Sequence, residues 1–154
     1  MTYTIPFPEG TPWERAIPTG DYAHENFPES FYAWDFLVDI GTPVMAARKG
    51  RIQSVKRGST TWINPRESMQ LKDVQRLAEE YTNLVCIDHE DGTFAEYLHL
   101  ASEIPVRADQ RVERGDLLGY TGWSGVMDKL HLHFNVFRIE EGKAISIPFE
   151  FADK

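Results

Sequence analysis

Three absences narrow the classes of protein that this sequence of 154 residues can encode. Cys86 is the sole cysteine, so the chain can form no intrachain disulfide and carries no Cys-x-x-Cys metal motif. No apolar run reaches the length of a transmembrane helix, so we expect no membrane span. No cluster of basic residues is present and the net charge is −8. These charges argue against nucleic acid or an anionic membrane as a partner.

The residues that are present favour one all-β domain. Hydrophobic residues make up 42% of the chain, which is enough to bury a core in a protein of this size. Prolines and glycines separate short apolar runs, as is typical of strands joined by turns. We therefore predict a single domain over residues 1–154, with its core at about 20–148. Cys86, within the apolar segment 84–88, is expected to be a small buried hydrophobe.

One helix is predicted as an insertion at residues 58–82. Asn64 offers an N-cap, Pro65 suits the first helical position and Glu67 completes a capping box. Apolar side chains then recur at helical spacing along one face: Leu71, Val74, Leu77 or Ala78, and Tyr81. These signals predict a helix over 65–81, between strands at 50–57 and 83–90.

Two histidines lie two residues apart in a segment that alternates like a strand. In an extended chain residues i and i+2 share a face, so His131 and His133 project together. The intervening apolar positions, Leu132, Phe134 and Val136, are expected to face a core. Neutral imidazole is a common metal ligand and a ready proton carrier. The pair is therefore a candidate metal or catalytic site, and the simpler alternative is two exposed strand histidines.

A predicted hairpin brings a third histidine near this pair. Asp91-Gly92 between two apolar runs is a strong hairpin signal, so segments 83–88 and 93–100 are predicted to pair as antiparallel strands. Strand alternation places Tyr97 and His99 on one face, where a further polar group would be aimed at the site. The alternative for His99 is a half-buried ring hydrogen-bonded to a carbonyl.

A carboxylate in an apolar segment is a further candidate for the site. Asp35 lies within Phe31–Val38, whose other residues are apolar or aromatic. A buried carboxylate must be paired, hydrogen-bonded or bound to a metal, and no basic residue lies within ten positions on either side. His24, in the polar segment 21–26, carries no signal by itself.

With these segments in place, the chain resembles the LytM/lysostaphin-type zinc metallopeptidases, which cut peptides of the bacterial cell wall. The likeness is carried, in order, by segments 32–36, 41–50, 89–100 and 112–122, the last running into His131-Leu-His133-Phe. It covers about residues 20–138. The resemblance implies an antiparallel β-sandwich, the duplicated hybrid motif, with the inserted helix added to it.

The resemblance also implies roles for individual residues. Asp35 and His133 become ligands of zinc (Zn2+), and His99 and His131 become the catalytic histidines. The usual histidine ligand lies four residues before the aspartate, and that position is Phe31 here. Family members with a similar Tyr-Ala-hydrophobic-Asp-Phe segment take this ligand from further upstream, where His24 is available.

Several alternatives remain open at this site. Glu25 or Glu29 could replace His24, or the site could be defective. His131 and His133 could chelate one metal together. Which of His99 and His131 is the general base also stays open. The glycine-rich segment 121–128, with Trp123 at its tip, is a better candidate for substrate contact than the inserted helix, and its simpler interpretation is an ordinary connection.

The implied function is zinc-dependent hydrolysis of peptidoglycan stem or cross-bridge peptides. The alternative is a degenerate, non-catalytic relative that binds zinc or activates a wall hydrolase. Residues 1–20 lack a signal-peptide pattern, which predicts a cytoplasmic protein. A mature form of an exported chain would instead be periplasmic or cell-wall associated. The bond cut and the oligomeric state stay open.

Overall fold

A computed structural model describes residues 2–16, 28–64, 70–127 and 129–152. In chain order the elements are β1 (Thr2–Tyr3), β2 (Glu14–Arg15), a 3₁₀ turn (Pro28–Ser30), β3 (Trp34–Leu37), β4 (Pro43–Met45), β5 (Gly50–Lys56), β6 (Trp62–Ile63), α1 (Leu71–Tyr81), β7 (Leu84–Asp88), β8 (Thr93–Leu98), β9 (Arg111–Val112), β10 (Leu117–Tyr120), β11 (Gly125–Val126), β12 (Leu132–Glu140), β13 (Lys143–Ser146) and β14 (Glu150–Phe151).

The predicted all-β fold is confirmed. One large sheet has the order β2-β3-β12-β8-β7-β5-β9, with β13 paired to the far part of β12, and its neighbouring strands are antiparallel. The antiparallel pair β4–β10 forms a second, smaller layer. Strand β12 lies between β3 and β8, so the His131–His133 segment is held at the middle of the large sheet.

The core fills the space between the large sheet and the β4–β10 pair. As predicted, Leu132, Phe134 and Val136 of β12 are fully buried there. Val44 and Leu118 contribute to the same core from β4 and β10. Each such side chain contributes roughly 1.5–3 kcal/mol when it is fully buried. The opposite face of β12 is thereby left for the polar residues.

The predicted hairpin is confirmed as β7–β8. Its register pairs Asp88 with Phe94, and Gly92 adopts the left-handed conformation at φ +91°. Asp91 closes the turn, because its Oδ1 accepts hydrogen bonds from the backbone N and the hydroxyl of Thr93, at 3.0 and 2.5 Å.

The predicted helix is confirmed, but its predicted start is wrong. Helix α1 begins at Leu71, and Gln70 is its N-cap because the carbonyl of Gln70 accepts from the backbone N of Val74 at 3.1 Å. The capping signals at Asn64–Glu67 are therefore not the cap that is used, and residues 65–69 lie outside the described residues. Val74 is buried, as predicted, and α1 packs beside β11. None of the described helices has the length and apolar character that crossing a bilayer requires.

Gly50 permits the close approach of β5 and β7. A Cβ at Gly50 would lie 2.5 Å from the carbonyl oxygen of Asp88, a backbone atom that cannot rotate away. We expect Gly50→Ala to lower the free energy of unfolding by about 1–3 kcal/mol, as overpacking does. Gly119→Ala is the matched control, since its Cβ would lie an ordinary 3.7 Å from Ile104 and Leu100. Urea unfolding measures both, and an equal loss in the two variants would contradict this packing account.

Candidate active site

Asp35 and His133 face each other across two paired strands. They are direct partners in the β3–β12 register, and directly opposed residues project on the same face of a sheet. Nδ1 of His133 lies 3.1 Å from Oδ1 of Asp35. Both side chains are buried, with residue exposures of 6% for Asp35 and 3% for His133. The apolar segment around Asp35 therefore places its carboxylate against the imidazole of His133.

His131 joins the same carboxylate from the start of the β12 segment. Its Nε2 lies 3.3 Å from Oδ1 of Asp35, and its Nδ1 lies 2.8 Å from the carbonyl oxygen of Lys129. A carbonyl can only accept, so Nδ1 carries the proton and Nε2 of the neutral ring carries a lone pair. One ligand atom from each of Asp35, His131 and His133 lies within 4.8 Å of the others. The predicted convergence of the two histidines is thus confirmed.

This donor set suits a bound cation. Oδ1 of Asp35 lies 3.1 Å from Nδ1 of His133 and 3.3 Å from Nε2 of His131, so this carboxylate is the centre of the group. Two imidazoles and one carboxylate are the ligand types that zinc takes in catalytic sites. The group formed by Asp35, His131 and His133 therefore fits a zinc ion, and its burial strengthens the attraction.

His99 lies beside this group at the end of β8. Its Nδ1 donates to the carbonyl oxygen of Ser124 at 2.7 Å, which leaves Nε2 as the unprotonated atom of the neutral ring. The ring centroid lies 4.6 Å from that of His131 and 6.1 Å from that of His133. Burial lowers the pKa of His99 well below its ordinary value, and the two neighbouring histidines lower it further. The hydrogen bond to a carbonyl, which was the alternative interpretation of His99, is thus observed. The ring nevertheless lies beside the group of Asp35, His131 and His133.

The prediction that Tyr97 shares the face of His99 is wrong. Tyr97 is fully buried in the core, where its hydroxyl accepts from the backbone N of Ala47 at 2.8 Å. Leu98, opposite His133, occupies the site face instead. The cause is that β8 ends at Leu98 and the backbone of His99 is left-handed, with φ at +71°, so the strand alternation does not extend from Tyr97 to His99.

Sequence reasoning missed a polar pair behind His133. Asn135 lies directly opposite Glu96 in the β8–β12 register, and its Nδ2 donates to Oε1 of Glu96 at 3.1 Å. The same Nδ2 donates to the carbonyl oxygen of Glu29 at 2.5 Å, which ties the 3₁₀ turn to the sheet. Burial raises the pKa of Glu96, while nearby His133 and the Asn135 hydrogen bond oppose this. The sequence does carry one sign of this pair, because Asn135 follows His133 by two residues and therefore shares its face of the strand.

The remaining predicted site residues have different outcomes. Phe31, at the usual ligand position, is 60% exposed and packs against Tyr32 with their centroids 5.1 Å apart. His24 and Glu25 lie outside the described residues. Glu29 belongs to the 3₁₀ turn and is partly exposed, and Trp123 is an exposed aromatic in the loop before β11.

Comparison with known proteins identifies the family of this site. The model of peptidase family M23 matches residues 29–146, which include Asp35 and the three histidines around it. The chain belongs to this family. Glycyl-glycine endopeptidase ALE-1 of Staphylococcus capitis is 30% identical over 104 residues, which are 67% of this chain and 23% of that protein. This M23 chain thus spans less than a quarter of that relative's length.

Solved M23 structures share the fold. A variant of the catalytic domain of the prophage-encoded M23 protein EnpA from Enterococcus faecalis matches with a TM-score of 0.59 and 21% identity, over 91% of this chain and 92% of that one. The lysostaphin catalytic domain of Staphylococcus simulans matches with a TM-score of 0.53 and 23% identity, over 95% and 85%. A zinc-containing peptidase of Vibrio cholerae gives a TM-score of 0.59 and 20% identity, over 95% and 39%. The resemblance to lysostaphin-type peptidases is confirmed.

The lowered pKa of His99 makes the stability of the metal-free protein depend on pH. Below its ordinary pKa of 6.5 the unfolded ring gains a proton that the folded ring does not take. The unfolded state then binds more protons, so the free energy of unfolding should fall as pH is lowered from about 7.5 to 5.5. His99→Gln should make this dependence shallower. Urea unfolding in the presence of a chelator measures it, and identical slopes in both proteins would contradict the assignment.

Proposed function

We propose that this M23 protein is a zinc-dependent endopeptidase that hydrolyses peptide bonds of bacterial peptidoglycan. The observation that carries the proposal is the convergence of Asp35, His131 and His133 within 4.8 Å, with the His99 ring beside them. Family membership supports hydrolysis. The name of the relative ALE-1, a glycyl-glycine endopeptidase, supports a wall cross-bridge as the substrate class.

In this proposal Asp35 and His133 hold the zinc, with His24 as the third ligand. Three protein ligands leave one position of a tetrahedral site open, as in catalytic zinc sites. When bound, zinc supplies Lewis-acid polarisation of the scissile carbonyl and increases the acidity of water. The buried carboxylate of Asp35 offsets part of the cation's charge, and its register opposite His133 fixes where the cation is held.

His131 and His99 handle the proton in this proposal. Both rings donate Nδ1–H to a backbone carbonyl, so both present a bare Nε2 that can accept a proton from water. A proton taken up by Nε2 of His131 lies beside the Asp35 carboxylate, at the 3.3 Å contact, which stabilises the charged ring. Burial disfavours the charged form of His99. We therefore assign His131 as the general base and His99 as the group that orients water or the substrate carbonyl.

Substrate recognition depends on short-range contacts in this proposal. The net charge of −8 gives no long-range attraction to a wall rich in carboxylates and phosphates. A cleft of about 440 Å³ opens between β2, the end of β3 and Leu130, the residue before His131. Leu37 and Trp13 line this cleft, and Leu37 lies two residues along β3 from Asp35, so we place part of the substrate peptide there.

One observation favours a second candidate, a zinc-binding domain without peptidase activity. The usual ligand position holds the exposed ring of Phe31, which cannot bind a metal. If His24 does not serve as a ligand, the described donors are the Asp35, His131 and His133 group, and His131 would then be used for binding rather than for proton transfer.

Turnover tests the first candidate directly. Zinc-loaded protein should cut wall-derived cross-bridge or stem peptides, and a chelator should stop the reaction. His131→Ala and His99→Ala should each lose roughly 10² or more of the rate while they keep the fold, which is the usual scale for acid–base and oxyanion groups. His89→Ala is the matched control, since His89 is also buried but packs against Tyr3 in another part of the molecule. A wild-type protein that binds zinc and cuts no such peptide would favour the non-catalytic candidate.

Zinc content separates the two roles of the paired histidines. His133→Ala should abolish zinc binding, because its Nδ1 is the donor opposite Asp35, whereas His131→Ala should retain most of it. Competition with a chromogenic chelator measures the affinity of each variant. Equal losses would show that both histidines hold the metal, as the second candidate requires.

Substitution of His24 tests its role as the third zinc ligand. Eleven residues separate His24 from Asp35, a distance that can span about 35 Å when extended, so the chain is long enough to bring His24 to the metal. His24→Ala should weaken zinc binding by orders of magnitude, since a two-ligand site holds zinc poorly. Glu25→Ala and Glu29→Ala are the controls and should bind zinc like the wild type. Wild-type affinity in the His24 variant would remove it from the ligand set.

A further inference from the structure

Asn83 is a buried hydrogen-bonding residue between α1 and β7. Its side chain is fully buried and well satisfied: Nδ2 donates to the carbonyl oxygens of Ser59 and Leu100 at 2.8 and 3.0 Å, and Oδ1 accepts from the backbone N of Ser59 at 2.9 Å. Asn83 therefore joins the start of the insertion, at Ser59, to the chain that follows His99. No sequence motif marks this residue.

The backbone of Asn83 holds the turn at His99. Its carbonyl oxygen accepts from the backbone N of both His99 and Leu100, at 3.1 and 3.2 Å. His99 is left-handed at φ +71°, a conformation that costs a residue with a side chain of order 1–3 kcal/mol. The surrounding hydrogen bonds must supply that energy. The carbonyl and the side chain of Asn83 make hydrogen bonds on both sides of the turn, and these bonds offset the conformational cost at His99.

Ser124, in the loop before β11, adds three hydrogen bonds to this arrangement. We call the hydrogen bonds among Asn83, His99, Leu100 and Ser124 the lock. Its Oγ accepts from the backbone N of Asn83 at 2.9 Å and donates to the carbonyl oxygen of Leu100 at 2.8 Å. Its own carbonyl oxygen accepts Nδ1–H of His99 at 2.7 Å. The side chain of Ser124 thus fixes the position of the carbonyl that selects the protonation of the His99 ring.

Glycines allow this loop to come so close. A Cβ at Gly122 would lie 2.6 Å from the backbone N of Ala101. At Gly125, with φ at +96°, a Cβ would lie 2.1 Å from Oγ1 of Thr82. The glycine-rich segment is therefore a closely packed support for His99, while the intervening Trp123 remains exposed.

We infer that Asn83 and Ser124 are positioning residues that hold His99 with Nδ1 protonated, so that Nε2 is the atom offered to the substrate site. The catalytic meaning of this inference rests on the proposed peptidase function. The lock itself is independent of the reaction, since it consists of hydrogen bonds among Asn83, Ser124, Leu100 and His99. A ring released from Ser124 would exchange between its two tautomers and would rotate, and small misplacements at an active site cost about 10² in rate.

Ser124→Ala and Asn83→Asp break the lock at its two ends. The first removes the hydroxyl that joins Asn83 to Leu100. The second keeps the shape of the side chain but turns both donated hydrogen bonds into repulsive contacts between oxygens. Val85→Ala is the matched control, because Val85 is fully buried on β7 and has no polar side-chain atom that could take part in the lock.

The experiment reads the imidazole nitrogens of His99 by two-bond ¹⁵N–¹H NMR in the 154-residue chain, with His99→Gln assigning the signals. The wild type and Val85→Ala should show one protonated Nδ1 and one bare Nε2. Ser124→Ala should show averaged tautomers and a roughly 10²-fold lower kcat, with KM and zinc content unchanged. Asn83→Asp tests the same lock should Ser124→Ala fail to fold.

The outcomes separate this inference from the proposed function. An unchanged His99 spectrum in the folded variants overturns the inference, even if the wild type is an active peptidase. Averaged tautomers in Ser124→Ala or Asn83→Asp, together with the wild-type pattern in Val85→Ala, support it. That result would hold even if the wild type cut no peptide, in which case only the proposed function would fail.

Discussion

The site depends on a buried carboxylate held opposite an imidazole. Asp35 lies in an apolar strand, and its charge would cost several kcal/mol without a partner. The β3–β12 register places His133 directly opposite it, and Leu132 and Phe134 fix that register by entering the core. A slip of β3 by one residue would move Asp35 to the core face, and a slip of β12 would expose its core residues. Core packing therefore positions the polar group as firmly as it stabilises the fold.

Backbone carbonyls set the chemistry of the other two rings. Lys129 and Ser124 each accept an Nδ1–H, so His131 and His99 both present a bare Nε2. These contacts come from chain segments that lie next to the sheet rather than within it. The glycine-rich loop before β11 and the turn after β8 are consequently parts of the site.

Strand-based features of the site could be predicted from the sequence, because alternation with a period of two is a property of the chain itself. That period placed His131 with His133 and sent Leu132 to the core. It failed at Tyr97 because His99 is left-handed and donates its backbone N–H to the carbonyl oxygen of Asn83, which is distant in sequence. The capping signals near Asn64 likewise failed to predict the start of α1 at Leu71. Contacts between distant segments leave no local pattern.

Anomalous diffraction at the zinc edge from zinc-loaded crystals of this chain tests the central claim most directly. The account predicts one strong peak bonded to the Asp35 carboxylate and to Nδ1 of His133, with the Nε2 atoms of His99 and His131 beside it and outside the ligand set. A peak elsewhere, or no peak at the β3–β12 pairing in crystals soaked with zinc, would contradict it.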